Sequence, residues 1–279
     1  MGLLVALLSF TIAIDAPPSL ASAAERLRGI DRENLSAALQ AAGLEIPAAV
    51  EVTLVPEDDP MAQGTPRWVV GQAFGIRSVA IFPQRVTRYP HDSLESVLRH
   101  EVVHLALFAS AGGRPLPRWF HEGVATSVEA GWGVTDELRL LVAALAQPTI
   151  DDVSELFRSD AQPGTHLAYR LATALITDIR DRHGADVPGR IAARVSASPG
   201  GSATGQAFLR AFAAETGETP DAAAALAWRS YRNWSRWVPA LASASAVWSF
   251  ILVLAVVAYL ARRRRRAHQR SRWEDDRFD

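Results

Sequence analysis

Between Ser93 and Ser110 the chain spaces Leu94, Val97, Leu98, Val102, Leu105 and Leu107 as one apolar helix ending near Gly112-Gly113, and it sets His100-Glu101-Val102-Val103-His104 in the middle of that helix. Histidines four residues apart project from one helical face about a turn from each other, so they can grip one ion. Zinc suits imidazole nitrogen, and a catalytic zinc takes three protein ligands with water in the remaining position. The chain must therefore bring a third ligand to this helix, and the intervening Glu101 is placed to reach the water.

The candidate for that ligand lies in Pro117-Arg118-Trp119-Phe120-His121-Glu122-Gly123. A second helix begins there, just after a Gly/Pro-rich loop, and presents Glu122 near its first turn. The connection from His104 through Gly112 to Pro117 is long enough to lay this helix beside the first. His121 is a rival, but adjacent helix residues point about 100° apart, so only one of the pair faces the ion. Glu122 is the expected ligand.

Composition narrows the chemistry further. The 279 residues contain no cysteine, which leaves His and carboxylates as ligands and a hydroxyl or a water as nucleophile. Every basic residue is Arg, and the formal net charge of -1 hides an unbroken run from Arg262 to Arg266. Outside that run the chain is mildly acidic and lacks a nucleic-acid footprint, so no nucleic-acid partner is expected.

Two hydrophobic segments suggest a topology. Val238 to Ala261 carries no charge, is long enough to cross a bilayer as a helix, and is flanked by Trp234, Trp237 and the Arg run. It predicts a single-pass protein at the cell membrane, with the body extracytoplasmic and a cytoplasmic tail. Gly2 to Ile14 is apolar but too short to span, and Leu20-Ala21-Ser22-Ala23-Ala24 follows it. That pattern predicts a signal peptide cut after Ala23, although no Arg precedes the apolar stretch. The expected organisation is a signal peptide over 1–23, one domain over 24–237, a transmembrane helix over 238–261 and an Arg-rich tail over 262–279.

Within the domain, periodicity predicts a helix over Glu25 to Ala42 and a strand over Val50 to Val55. Strands over Trp68 to Val70 and Ser78 to Phe82 follow, with a turn around Gly71 to Gly75 between them. Beyond the central helix, further helices are expected over Phe120 to Ala130, Asp136 to Ala146, Tyr169 to His183, Gly205 to Thr216 and Ala222 to Ser235. A small sheet followed by helices is an α+β arrangement.

The pair of motifs HEVVH and WFHEGVA resembles the gluzincin metallopeptidases, most closely the peptidase-MA-like group, which places W-x-x-E-G-x-A shortly after HExxH. The likeness implies a thermolysin-like zincin core with a small mixed sheet. It also implies a peptidase with one zinc on His100, His104 and Glu122, Glu101 as catalytic carboxylate and a peptide or protein substrate. Relatives of this kind add a Tyr or His donor for the oxyanion, for which Tyr169 is first choice and His166 second. Glu129, on the face of Glu122, could orient a ligand imidazole or lie at the surface. Substrate is expected along the edge of strand Ser78 to Phe82.

An aminopeptidase would carry a G-x-M-E-N-type segment ahead of HExxH, which Gly71-Gln72-Ala73-Phe74-Gly75 does not match, so an endopeptidase is expected. A zinc-fold binding protein without turnover would be expected to lack Glu101 or a ligand, and none is missing. Oligomeric state leaves no trace in the sequence.

Overall fold

Ser93 starts the central helix by capping it: its hydroxyl accepts from Ser96 N at 3.0 Å, while the Ser96 hydroxyl donates to Ser93 O. From there helix α4 runs over Leu94–Ser110 and buries residues on nearly every side, among them Val97, Leu98, Val102, Val103, Leu105 and Ala106. A helix apolar all round belongs in the middle of a domain.

The structure, a computed structural model, describes residues 10–86, 93–129, 146–158, 162–199, 204–235, 248, 251–252, 254–256 and 259. The chain divides into two units, Met1–Arg229 and Ser230–Asp279. The first is α+β, as the sequence predicts. It contains β1 (Thr11–Asp15), α1 (Ala21–Arg28), α2 (Arg32–Ala41), β2 (Ala49–Leu54), α3 (Pro60–Gly64), β3 (Gly71–Phe74) and β4 (Ser78–Ile81) ahead of α4. After α4 come α5 (Arg118–Glu129), α6 (Ile150–Arg158), α7 (Gln162–His183), α8 (Val187–Ser196), α9 (Thr204–Thr216) and α10 (Pro220–Ser235), the last running into the second unit. The expected helix over Asp136 to Ala146 lies, up to residue 145, outside the described residues.

The sheet is mixed and four-stranded in the order β1-β2-β4-β3, with β1, β2 and β4 parallel and β3 antiparallel to β4. Val50, Val52 and Leu54 point into the core from β2 while Glu51 and Thr53 face out, the alternation of a strand covered on one side. The strand expected over Trp68 to Val70 is displaced: Gly71 to Phe74, read from sequence as a turn, is β3. Ser78–Ile81 lies between β2 and β3, so both its edges are occupied. A peptide cannot add to it, and the sheet edge on that side is β3.

The helix expected over Glu25 to Ala42 is two helices. Asp31 takes extended backbone and its carboxylate accepts from Asn34 N at 2.9 Å, so α2 is capped afresh rather than continued. Residues 11–15, inside the expected leader, form β1 in register with β2, and Phe10 before it is 1% exposed. The expected cut after Ala23 falls within α1.

The membrane expectation is corrected. Among the described residues no helix is long and apolar enough to cross a membrane. Of Val238 to Ala261, the described residues 248, 251–252, 254–256 and 259 are helical and exposed; the rest lies outside the described residues. The single-pass placement, with an extracytoplasmic domain and a cytoplasmic tail, loses its support with the helix.

One buried cation holds the loop between β2 and β3. Arg85 has 5% of its side chain exposed and ion-pairs Glu57 at 2.6 Å. The same guanidinium donates to Ala62 O at 2.7 Å, Pro66 O at 3.1 Å and Val69 O at 3.2 Å, and lies over the Phe82 ring at 4.3 Å. The hydrogen bond from Arg85, ahead of a smaller opposing effect of burial, lowers the Glu57 carboxyl below its ordinary range. Replacing Arg85 by Met would orphan these carbonyls and leave Glu57 unpaired, for an expected loss of about 3 kcal/mol. Urea denaturation measures it, and a loss below about 1 kcal/mol would show that the loop is held by other contacts.

Candidate metal centre

The second helix is anchored before it presents anything. Trp119 and Phe120, at its start, are 2% and 0% exposed. Their rings meet each other and Phe208 of α9 edge-on, with centroids 5.6 Å apart within the pair and 5.9 and 5.1 Å to Phe208. Such pairs add about 0.5–1.5 kcal/mol each beyond burial, and they fix the two residues immediately ahead of His121 and Glu122. One turn on, α7 passes so close that a Cβ on Gly123 would lie 2.6 Å from Ala172 O and 2.7 Å from Ile176 Cγ1. Only glycine fits there, which gives the Gly of the WFHEGVA segment a packing reason.

Held in this way, α5 lies along α4 and the three expected ligands converge. His100 Nε2 and His104 Nε2 are 3.0 Å apart. Glu122 Oε2 lies 3.3 Å from the first and 3.4 Å from the second. This triangle could hold a metal ion. Burial pushes the Glu122 carboxyl up, but the charge of His104 and hydrogen bonds from His100 and His104 together outweigh it and hold the group well below its ordinary value. Glu122 is thus an ionised acceptor ready for a cation.

Glu101 is 5% exposed and sits under the edge strand. A Cβ on Gly71 of β3 would fall 2.7 Å from Glu101 Oε1 and 2.8 Å from Val97 Cγ1. The strand can cross this close to the carboxylate because position 71 has no side chain.

His121, the rival ligand, does reach the site but on its far side. Its Nδ1 is 2.6 Å from His104 Nδ1, and the two rings are stacked with their planes 28° apart and centroids 4.6 Å apart. If His104 held an ion through Nε2, its Nδ1 would carry the proton and could share it with Nδ1 of His121. Burial first, then the charge of His104, lowers the His121 pKa to about 3, so the acceptor is neutral.

Both expected donors line the same cleft, whose volume is about 1030 Å³. The Tyr169 ring centroid is 6.3 Å from that of His100, and its phenol lies close enough to Glu122 to feel the carboxylate charge. Burial and then the Glu122 charge raise the phenol well above its usual value, keeping it protonated. His166 is lowered by burial and then by Arg170. Glu129 closes α5, and its side chain lies outside the described residues.

Sequence reasoning missed α6, which carries Phe157 and Arg158 into the cleft wall. A signal was present, because Thr149 and Asp152 form a reciprocal cap, with Thr149 N to Asp152 Oδ2 at 2.8 Å and Asp152 N to Thr149 Oγ1 at 3.2 Å. It also missed Arg118, which donates to Phe157 O at 2.8 Å.

In comparisons with known protein families, curated proteins and solved structures, the chain matches none. The likeness to gluzincins therefore rests on the two sequence motifs alone.

His121→Ala is expected to weaken metal binding about 10- to 100-fold by freeing the His104 ring, with the fold intact. Competition against a chelator reads the affinity; an unchanged value would mean that the His104–His121 contact does not orient the ligand.

Proposed function

We propose that this chain is a zinc-dependent metallopeptidase that hydrolyses internal peptide bonds. The observation that carries the reading is the triangle of His100 Nε2, His104 Nε2 and Glu122 Oε2, with edges of 3.0, 3.3 and 3.4 Å. A tetrahedral zinc with bonds near 2.0–2.1 Å has ligand-to-ligand edges of roughly 3.3 Å. Two imidazoles and one carboxylate are a donor set that zinc prefers over harder cations.

Zinc bound there would lower the pKa of its water to about 7 and polarise the scissile carbonyl. The remaining work falls to the chain's own residues. Glu101, one residue from His100 and walled in by β3, takes a proton from the attacking water and delivers it to the leaving amine nitrogen. Tyr169 keeps its proton and sits beside Glu122, so it can donate to the oxygen on which negative charge develops; His166 lines the same wall. An extended substrate adds to β3, whose outer edge is unpaired among the described residues, with the reacting carbonyl above Glu101.

Three variants of the full chain test this. Wild type should bind about one zinc per chain by mass spectrometry and cleave unfolded casein, and Glu122→Ala should lose both. Glu101→Gln should keep zinc and lose on the order of 10²–10⁴ in rate. Gly71→Ala should also keep zinc but slow cleavage, because its methyl displaces Glu101. Well-folded wild type without zinc, or full activity in Glu101→Gln, would falsify the proposal.

A further inference from the structure

The mouth of the cleft carries charge of one sign among the described residues. Arg67, Arg118 and Arg158 line it, and the only described carboxylates that line it are Glu101 and Glu122 at its base. Glu122 is engaged by the two histidines. Arg85 lines the cleft as well, but Glu57 neutralises it. Composition does not impose this bias, since the chain has 29 basic and 30 acidic residues.

Arg118 and Arg158 are partly engaged, yet all three guanidiniums reach solvent. The Arg118 side chain is 44% exposed, with its Nε 3.7 Å from Glu122 Oε1 and its Cζ 5.2 Å from the Phe157 ring centroid, so it is held next to the metal ligands while still reaching solvent. Arg158 pairs with Glu155 at 2.9 Å, but the side chains are 67% and 69% exposed, and water screens a pair of that kind enough for another carboxylate to replace it. Arg67 is exposed at the rim, and the Glu57 carboxylate on which its charge acts is already gripped by Arg85. Beside it Trp68 is 44% exposed, an apolar surface among the cations.

We propose that the cleft selects peptide segments in which acidic side chains flank apolar ones, with Arg67, Arg118 and Arg158 as the groups that recognise the carboxylates. Turnover of such segments rests on the peptidase reading; their binding does not. Guanidinium forks match carboxylates in two-point hydrogen bonds. A cleft lined by one sign of charge also concentrates oppositely charged ligands.

The test uses the full-length Glu101→Gln chain and two fluorescent peptides built from Leu, Phe and Ala, one carrying three Glu residues and the other Lys in their places. Binding by anisotropy should favour the Glu peptide by about tenfold at about 50 mM salt, and the gap should narrow at about 500 mM as screening shortens. Adding Arg67→Glu and Arg158→Glu, at exposed positions away from the ligands, should reverse the preference; Arg118→Gln should narrow it. Equal binding, tighter binding of the Lys peptide, or a preference that survives the double reversal would overturn the inference. Metal content is measured on the same samples. A chain without zinc refutes the peptidase reading while the peptide preference still decides the inference, and a zinc-bearing chain with no preference refutes the inference alone.

Discussion

Two ionisable side chains buried in the middle of an apolar helix govern the rest of this molecule. His100 and Glu101 are 2% and 5% exposed on α4, a helix that otherwise presents Val, Leu and Ala to its neighbours. Hydrated groups removed from water in this way cost several kcal/mol unless another element supplies partners. Glu122 from α5 meets the imidazole of His100, and β3 closes over Glu101. The helical half and the sheet half of the domain therefore meet on the same turn of α4. Neither half could be rotated by one residue without exposing an apolar stripe and burying an unpartnered charge.

The position of Glu122 follows from packing that involves no ion. Trp119 and Phe120 lock the start of α5 against Phe208, and the bare Cα of Gly123 lets α7 come within contact of the next turn. Further along, Arg180 of α7 donates to Ser127 O at 3.1 Å and to its hydroxyl at 3.2 Å, tying the two helices again. Tyr169, on α7, then comes beside the Glu122 carboxylate, its ring 6.3 Å from that of His100. The same helix pair thus sets both the carboxylate and the phenol that faces it. His121 performs the corresponding service for His104 from the other side.

The legible parts of the fold were those written in local spacing. Helix α4 and its His-Glu-His core, and α5 with Glu122 in its first turns, are periodic patterns that a single segment contains. Their meeting was inferable because a metal site needs a third ligand and the intervening loop could deliver one. Strand pairing was harder to read. Trp68-Val69-Val70 has the stronger strand composition, yet Gly71 to Phe74 is what hydrogen-bonds to β4, because the register Gly71 to Ile81 is fixed by the hairpin and by the room that Gly71 leaves above Glu101. Apolar composition misled over the expected membrane span. Thr11 to Asp15 is recruited into the sheet by β2, and Val238 to Ala261 contributes no membrane-length helix among the described residues.

Ligands positioned by helix packing have a consequence for how metal binding relates to folding. In small zinc domains the ion supplies the folding free energy, because too little core exists without it. Here the core is aromatic and aliphatic and surrounds α4 on several sides. Glu122 already has His100 and His104 as neighbours that favour its ionised form. The three side chains that could hold an ion are thus brought together by the fold itself. If two imidazoles and one carboxylate held it, what stands around them would shape the remaining coordination position. Those surroundings are Glu101, the edge of β3 and the cationic mouth, so the chemistry of the site is decided as much by the cleft wall as by the ligands.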